Sequence, residues 1–353
     1  MRLPALQNVP SLSPDVLSGV TASAVEDLLR EGESRNTQAS YRSALRYWAA
    51  WYGCRYGGQI QLPLTVPCVL QFIVDHAERM TPQGLVSELP ALIDQTLVDA
   101  GYKGKLGALA HNTLVHRIAV LSKAHQLREL KNPCRDGQVR ELLSRTRKAY
   151  AKRGALTVKK EALTRDPLAL MLATCDDSLR GCRDRALLLF AWASGGRRRS
   201  EVANASMEFL KPVPGGYVYT LQNSKTNQTG ADLPENVKPL LGSGAAALAA
   251  WLDKAGITHG PLFRQVRKGG NLGPALSAAS VRDIVKARCA MAGVEGDFSA
   301  HSLRSGFVTE AGRQNVPLAD TMAMTGHRSV NAVLGYFRSG ALQANAGAKL
   351  LDD

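Results

Sequence analysis

The sequence contains few cysteines, and none of them falls into a pattern typical of a disulfide framework or a zinc site. No CxxC pair occurs, and no histidine stands at zinc-ligand spacing from a cysteine. Free cysteines of this kind usually lie buried as small apolar residues. We therefore predict isolated thiols in a reducing compartment, and no metal site. The six cysteines are Cys54, Cys68, Cys134, Cys175, Cys182 and Cys289.

Long apolar runs are also missing. No stretch approaches the roughly 20 apolar residues that a transmembrane helix requires. The N-terminal stretch MRLPALQNVPSLSPDV lacks the apolar centre of a signal peptide. The sequence therefore predicts a soluble, cytoplasmic protein.

Acidic residues are too few to balance the basic ones. There are 30 Asp and Glu against 44 Lys and Arg, which gives a net charge of +14. Because the hydrophobic fraction of 45% is ordinary, we expect this charge on the surface of a folded protein rather than in a disordered tail. A polyanion is the expected partner, and salt should weaken its binding. An anionic membrane surface is the alternative partner, but the sequence contains no long apolar segment that would support membrane binding.

The pattern of apolar residues predicts a mainly α protein with two domains. We expect a flexible segment over residues 1–20, a helical domain over 21–150, a basic linker over 151–166 and a second domain over 167–353. The linker is either a solvated connector or a basic segment that lies along the phosphates of the bound polyanion.

In the first domain, apolar residues at helical spacing predict an all-helical bundle. The first helix starts near Asn36, and the second runs from Thr65 toward Glu78. Three apolar stripes are expected to face the core: Tyr41, Leu45, Trp48 and Tyr52; Leu114, Ile118, Leu121 and His125; and Val139, Leu142, Leu143 and Thr146.

The second domain should be mostly helical with one small antiparallel sheet. YVYTLQ (217–222) alternates like a strand, SKTNQTG (224–230) has turn chemistry and ADLP follows, so a hairpin is predicted. The predicted helices cover about 167–174, 183–194, 244–254, 277–291, 301–314, 317–324, 329–337 and 340–351.

A set of polar residues in this domain suits phosphoryl transfer on DNA without a metal. The transition state carries extra negative charge, which fixed arginine forks can stabilise through paired hydrogen bonds. His301 and Arg304 are three residues apart and share a helix face. Arg198 offers a second fork, and Tyr336 offers an oxygen nucleophile.

These residues resemble the tyrosine recombinases of the phage integrase family over about residues 34–353. The resemblance rests on the SxNTxxxY opening of the first helix, the RxSE box, the SKT turn, LFRQVRKGG, the HSLR box, GHRSVNAVLGYF and the final LLDD. It implies a helical core-binding domain and a mainly α catalytic domain with a small antiparallel sheet, which together clamp DNA and use no metal, ATP or other cofactor.

The resemblance also implies a role for each matched residue. Arg198 and Arg304 would bind the scissile phosphate, and Glu201 would hold a neighbouring arginine or histidine. The hairpin residue Lys225 would protonate the leaving 5′ oxygen, His301 would accept a proton or bind phosphate, His327 would donate to a phosphate oxygen, and Tyr336 would form a 3′-phosphotyrosyl link.

The run of three arginines leaves one register open. Arg198 fits the family pattern best, although Arg197 or Arg199 could take its place. With Arg198 in the site, Arg197 and Arg199 are expected to face phosphates or to be surface charges.

Two helices are expected to read DNA, because their polar N-terminal ends could reach base edges in the major groove. The first presents Gln38, Ser40 and Arg42, and the other presents Arg282 and Lys286. Arg282 is predicted to contact a base, most plausibly guanine, and a phosphate contact is an equal alternative. Further candidates for contacts to the DNA backbone are Lys123, Arg145, Arg147 and Lys148.

The C-terminal segment carries Leu342, Ala346 and Leu350 at helical spacing, and a short apolar helix requires a host surface. In Cre-like members of the family this helix packs into the neighbouring protomer. The resemblance thus implies a homotetramer on two duplex sites with inverted repeats and strand exchange through a Holliday junction, in the cytoplasm of a bacterium and near its nucleoid. A type IB topoisomerase and a catalytically idle DNA-binding regulator are the alternatives.

Overall fold

A computed structural model describes residues 34–156, 161–221 and 236–341. The chain divides into two compact units, Met1–Val158 and Lys159–Asp353. Several predicted features lie outside the described residues: the segment 1–20, the turn 224–230 with Lys225, the ADLP strand, and the end of the C-terminal helix with Leu342, Ala346 and Leu350.

The described part of the N-terminal unit is mainly helical. Its elements are α1 (Arg35–Tyr56), α2 (Val66–His76), β1 (Arg79–Thr81), β2 (Gly84–Val86), α3 (Ala91–Asp99), α4 (His111–Leu127) and α5 (Gly137–Lys152). The β1–β2 hairpin corrects the expectation of an all-helical bundle. Its turn depends on Gly84 at φ 112°, with the Thr81 hydroxyl donating to the Gly84 carbonyl at 2.9 Å.

The buried face of α1 differs from the predicted stripe. Leu45 is 39% exposed, whereas Tyr47 and Trp51 are fully buried beside Trp48. The reason is that both buried rings find partners for their polar tips on α2. The Tyr47 hydroxyl lies 2.7 Å from His76 Nε2, and Trp51 Nε1 donates to Asp75 Oδ2 at 2.9 Å.

The predicted stripe of α4 is confirmed, because Leu114, Ile118, Leu121 and His125 are all buried. His125 is a core histidine: its Nε2 accepts from the Leu64 backbone N–H at 3.1 Å. On α5, Val139 and Thr146 are buried, and Leu142 and Leu143 are partly buried against the same core.

The C-terminal unit combines helices with small antiparallel sheets, as the predicted fold class requires. Its described helices are α6 (Arg165–Ala173), α7 (Leu179–Ala193), α8 (Arg199–Ala203), α9 (Gly242–Ala255), α10 (Ala278–Met291), α11 (Ala300–Arg313), α12 (Leu318–Thr325) and α13 (Val330–Ala341). Its described strands are β3 (Leu210–Val213), β4 (Gly216–Thr220), β5 (Val237–Leu241), β6 (Arg264–Val266) and β7 (Leu272–Ala275).

The predicted strand at 217–222 is β4, which pairs with β3 on one side and β5 on the other. Tyr217 stands opposite Leu240, so β5 lies on the far side of the predicted turn. The β6–β7 hairpin was not predicted. It includes part of the LFRQVRKGG motif.

Helix α7 passes through the core of this unit, where Leu187, Leu188 and Phe190 are fully buried. It packs against α9, whose Trp251 donates from Nε1 to the Leu262 carbonyl at 2.7 Å. Helices α11 and α13 pack extensively against each other. Within residues 34–156, 161–221 and 236–341, no helix combines the length and apolar character needed to cross a membrane.

Candidate active site

Two consecutive glycines set the position of the loop after α7. Gly195 and Gly196 have φ values of 94° and 69°. A Cβ on Gly195 would lie 2.2 Å from the Met324 carbonyl oxygen, and one on Gly196 would lie 2.2 Å from Arg304 Cα. Because only glycine fits both the φ values and these approaches, the pair brings the loop against α11 and the end of α12.

Arg198 and Glu201 form the start of α8. The Arg198 backbone N–H donates to Glu201 Oε2 at 3.0 Å, and Arg198 Nη1 donates to Oε1 at 2.6 Å. The Glu201 side chain is 3% exposed, and that of Arg198 is 26% exposed. Burial alone would raise the pKa of Glu201, but the charges of Arg197 and Arg198 and the bonds from Arg198 hold it below its usual range. Glu201 therefore stays ionised and orients Arg198.

Arg197 contradicts the expectation that it faces phosphates or the surface, since its side chain is 2% exposed. Its Nη2 donates to the Met324 carbonyl at 2.7 Å and to the Gly195 carbonyl at 3.3 Å. Its Nη1 lies 3.7 Å from Glu201 Oε2. The approach of α12 to the glycine pair encloses this guanidinium. Arg199 is exposed, as expected for a surface charge.

Arg304 and His327 are in direct contact. Arg304 Nε donates to His327 Nε2 at 3.3 Å, and Arg304 Nη1 donates to the Gly196 carbonyl at 3.3 Å. His327 Nε2 therefore carries the lone pair, and Nδ1 donates to Thr325 Oγ1 at 2.7 Å. Burial, followed by the charges of Arg304 and Arg198, lowers the pKa of His327 to about 4. This imidazole is neutral at neutral pH.

Arg304 is a buried cation with spare hydrogen-bonding capacity. The residue is 3% exposed, and its Nη2 has no hydrogen-bond partner among the described residues. Burial and the nearby charges of Arg198 and Arg197 lower the pKa of Arg304 to about 9. A buried donor without a partner is unfavourable, and so is the crowding of like charges. An anion bound here would relieve both.

His301 lies in the first turn of α11, next to the same cations. Ser299 caps this helix by accepting from the His301 backbone N–H at 3.2 Å, and its own N–H donates to Ser302 Oγ at 3.0 Å. Partial burial and the charges of Arg304 and Arg198 lower the pKa of His301. The ring is therefore neutral at neutral pH and able to accept a proton.

Tyr336 lies on α13, the helix that packs against α11, and it is partly buried. Burial raises the pKa of its hydroxyl, so the phenol is protonated at neutral pH. Helix α13 extends to Ala341, beyond the predicted end near residue 337.

The candidate DNA-reading residues lie on two exposed helix faces, one in each unit. On α1, Ser40 and Arg42 are exposed and Gln38 is partly buried; the Ser40 hydroxyl lies 2.8 Å from His116 Nε2. On α10, Arg282 and Lys286 are exposed, and Arg282 Nε donates to Asp283 Oδ1 at 2.8 Å. Arg282 would have to exchange this surface ion pair for a base or phosphate, and such pairs are weak.

The described residues contain no cluster of three or more His, Cys, Asp or Glu side chains that could hold a metal ion. The structure thus brings together Arg198, Glu201, His301, Arg304 and His327 in one cationic cluster, with Tyr336 on the adjoining helix. Sequence reasoning missed the role of the glycine pair, the burial of Arg197 and the contact from Thr325. The sequence did offer a signal for the role of the glycine pair, because GG stands directly before the arginine run.

Comparison with known proteins identifies relatives for most of the chain. Residues 161–341 match the model described as the phage integrase family, which is just over half of the chain. The integrase/recombinase xerD homolog of Selenomonas ruminantium is 28% identical over 319 residues, or 88% of this chain and 84% of that protein.

Solved structures share the fold at low sequence identity. The Tn1549 transposon integrase in complex with transposon right end DNA is 14% identical, with a TM-score of 0.57 over 94% of this chain and 98% of that one. A lambda integrase tetramer bound to a Holliday junction is 17% identical, with a TM-score of 0.50 over 90% of this chain and 83% of that one.

Proposed function

The chain belongs to the phage integrase family, and from this membership we propose that it is a site-specific tyrosine recombinase that cuts and rejoins duplex DNA through a 3′-phosphotyrosyl intermediate. The observation that carries the proposal is the buried guanidinium of Arg304, whose Nη2 finds no hydrogen-bond partner among the described residues. A phosphodiester supplies the anionic acceptor that such a donor requires.

In this mechanism Arg198 and Arg304 bind the nonbridging oxygens of the scissile phosphate. Attack produces a five-coordinate phosphorus with additional negative charge, which the two guanidinium groups stabilise. Glu201 keeps Arg198 oriented through its bond of 2.6 Å. Because all three side chains are held before DNA arrives, little reorganisation is needed during the reaction.

Tyr336 is the proposed nucleophile. Its Oη attacks phosphorus, the bond from phosphorus to the 5′ oxygen breaks, and the phenolic proton passes to His301. Lys225 donates a proton to the leaving 5′ oxygen. Rejoining is the reverse reaction, in which a 5′ hydroxyl attacks the phosphotyrosyl link, so the phosphodiester energy is conserved and neither metal nor ATP is required.

His327 would change its hydrogen bonding when phosphate enters. Its Nε2 accepts from Arg304 in the free protein. A phosphate oxygen that takes the Arg304 donor releases Nε2, and its negative charge raises the pKa of the imidazole. His327 would then donate to the phosphate oxygen, while Thr325 keeps the ring oriented from the other side.

We further propose a homotetramer that binds two duplex sites with inverted repeats and exchanges strands through a Holliday junction, on the nucleoid of the bacterial cytoplasm. The shared fold with a lambda integrase tetramer bound to a Holliday junction supports this assembly. The segment with Leu342, Ala346 and Leu350 would pack on the neighbouring protomer. Site reading would come from Gln38, Ser40 and Arg42 on α1, and from Arg282 and Lys286 on α10.

The test uses a nicked suicide duplex that carries a site selected by binding, without added metal. We expect a denaturation-resistant protein–DNA adduct that disappears in Tyr336→Phe. Tyr217→Phe is the matched control, because it removes another partly buried tyrosine hydroxyl of the same unit. An adduct that persists in Tyr336→Phe would contradict the assignment of the nucleophile, and no adduct on a verified site would favour a DNA-binding regulator.

A type IB topoisomerase would use similar chemistry as a monomer. The discriminating measurement is whether strand transfer requires two specific sites and the C-terminal segment from residue 342 onward. Relaxation of supercoiled DNA that lacks the site, unaffected by removal of that segment, would favour the topoisomerase.

A further inference from the structure

Arg197 joins the two halves of the candidate site. It follows the glycine pair in the loop after α7, and Nη2 reaches across to the last turn of α12, where it donates to the Met324 carbonyl at 2.7 Å. Its Nη1 lies 3.7 Å from Glu201 Oε2 at the start of α8. A single buried side chain thus touches the segment that carries Arg198 and the segment that leads into His327.

The contacts around Arg197 form a closed ring. Arg304 donates to the Gly196 carbonyl and to His327, each at 3.3 Å. His327 is bonded to Thr325 at 2.7 Å, Thr325 follows Met324, and Met324 accepts from Arg197. Arg197 is bonded covalently to Gly196, which completes the ring.

The end of α12 is a suitable place for such a bond. The last carbonyls of a helix lack intrahelical donors and carry partial negative charge, so buried cations stabilise them. Lys238 of β5 donates to the Ala323 carbonyl, the neighbour of the group that Arg197 holds. Gly326, at φ 69°, then turns the chain so that His327 meets Arg304.

Lysine could not replace this guanidinium, because an ammonium group is a point donor. Arg197 uses one nitrogen toward Met324 and another toward Glu201. The planar guanidinium fixes the separation between the Met324 carbonyl and the Glu201 carboxylate. A lysine ammonium would lie close to only one of these two groups.

From this geometry we infer that Arg197 is a positioning residue of the recombinase site, which fixes His327 relative to Arg198 and Arg304 without touching the DNA. The inference rests on the proposed function. The family pattern gives Arg197 no role in the site, and the inference supplies one.

The test compares Arg197→Met, which keeps much of the volume and removes the donors, with Arg197→Lys, which keeps the charge. Glu201 keeps both of its bonds from Arg198 in these variants, so its buried carboxylate still has a charged partner. Lys211→Met is the matched control, since it removes one exposed positive charge from the same unit. Each protein is assayed for the single-turnover rate of adduct formation at saturating suicide DNA, together with DNA affinity and thermal stability.

We expect Arg197→Met to lower the cleavage rate by about 10-fold to 100-fold, the range found when residues that orient a reacting group are removed. DNA affinity should change no more than in Lys211→Met. Arg197→Lys should restore only part of the rate. A rate for Arg197→Met within twofold of the Lys211→Met rate would overturn the inference, and so would a loss explained by weaker DNA binding or by unfolding.

The imidazole of His327 provides a readout that needs no activity. The charged groups near it are Arg304, Arg198 and Arg197, and the titratable neighbour is His301. Removal of the Arg197 charge should raise the midpoint at which the His327 ring titrates by NMR, whereas Lys211→Met should leave it in place. An unchanged midpoint in Arg197→Met would mean that the Arg197 charge does not lie close to His327, and would contradict the arrangement from which the inference is drawn.

These readouts separate the two possible failures. If the wild-type protein forms no Tyr336-linked adduct, the proposed function fails, and the His327 titration still decides whether Arg197 holds this segment. If the wild-type protein forms the adduct and Arg197→Met cleaves at the control rate, only the positioning inference fails.

Discussion

The C-terminal unit contains two clusters of the same composition, one carboxylate with two nearby arginines, that differ in how completely their hydrogen bonds are made. At Asp184, Arg183 donates twice to Oδ1 at 2.9 and 2.6 Å. Arg288 donates twice to Oδ2 at 2.9 and 2.7 Å, and its Nη1 donates to the Thr174 carbonyl at 2.6 Å. All three charged side chains are at most 7% exposed.

The Glu201 cluster is less completely paired. Arg198 approaches Glu201 closely, but Arg197 Nη1 stays 3.7 Å away. Arg197 Nε and Arg304 Nη2 lack hydrogen-bond partners among the described residues. The first cluster is therefore complete in itself and ties helices α7 and α10 together. The second adjoins Arg304, so three arginines share one carboxylate there, and this excess of positive charge is the property of a site that receives an anion.

The largest effect is expected from breaking the complete cluster. Arg288→Met leaves Asp184 Oδ2 and the Thr174 carbonyl without their donor, and removal of one member of a buried ion pair typically costs about 3 to 5 kcal/mol. Hydrogen exchange of the α7 amides measures this within the C-terminal unit. Arg313→Met is the control, because its pair with Glu310 is 3.7 Å long and 49% exposed on the arginine side. Equal protection in the two variants would show that the Asp184 cluster has no structural role.

The opposite behaviour is expected of the incomplete cluster. Arg304→Met should lower the single-turnover cleavage rate by about 100-fold to 1,000-fold, the effect of removing one donor that stabilises transition-state charge. Protection of the α7 amides should stay the same or rise, because the substitution removes a buried cation that is crowded by the charges of Arg198 and Arg197. If Arg304→Met cleaves at the normal rate but loses amide protection, then Arg304 has a structural role, as Arg288 does.

A smaller effect tests the excess charge directly. Inorganic sulfate should stabilise the C-terminal unit by about 1.4 kcal/mol at ten times its dissociation constant, through mass action. The stabilisation should be lost in Arg304→Met. Thermal unfolding over a range of sulfate concentrations checks this, with chloride at matched ionic strength to account for screening. Equal stabilisation of wild type and Arg304→Met would mean that sulfate binds elsewhere.

The smallest effect concerns two buried histidines, one in each unit. Burial lowers the pKa of His76 to about 3 and contributes most to the lowering of the His327 pKa to about 4. Since both folded-state values lie below the usual 6.5, each ring favours folding at pH values above 6.5, and this contribution is lost as the pH falls toward 4.

Sulfate should separate these two histidines in an NMR titration. The bound anion lies next to the cations around His327, so the midpoint of His327 should rise. His76 lies in the aromatic core of the other unit, bonded to Tyr47, and its midpoint should stay constant. A shift of both rings, or of neither, would argue against a local anion site.

The sequence predicted the architecture well where one periodicity dominated. The buried face of α4 and the described helices of the C-terminal unit other than α8 follow directly from apolar spacing. On α1, the burial of Trp48 was predicted correctly and that of Leu45 was not. Tyr47 and Trp51 are buried because their polar groups find partners on α2, and a pattern of apolar residues carries no information about such partners. Short hairpins such as β1–β2 are equally hard to predict, because three residues per strand give no measurable alternation.

The sequence predicted which residues form the candidate site, but it did not predict the contacts among them. Family motifs selected Arg198, Glu201, Arg304 and His327, which the structure places in one cluster. Arg197 was expected to be a surface or phosphate-facing charge because arginine is seldom buried. Its burial depends on the approach of residues more than 120 positions later in the chain, and only the folded structure contains that information.

The packing of α11 against α13 sets a narrow tolerance for the proposed attack by Tyr336. Both helices are regular, and they carry the proposed phosphate ligand and the attacking oxygen separately. A slip of α13 by a single residue would carry Tyr336 about 1.5 Å along the axis and about 100° around it, far outside the tolerance for in-line attack. A displacement of one helical step would therefore be enough to stop the proposed cleavage reaction in a protomer.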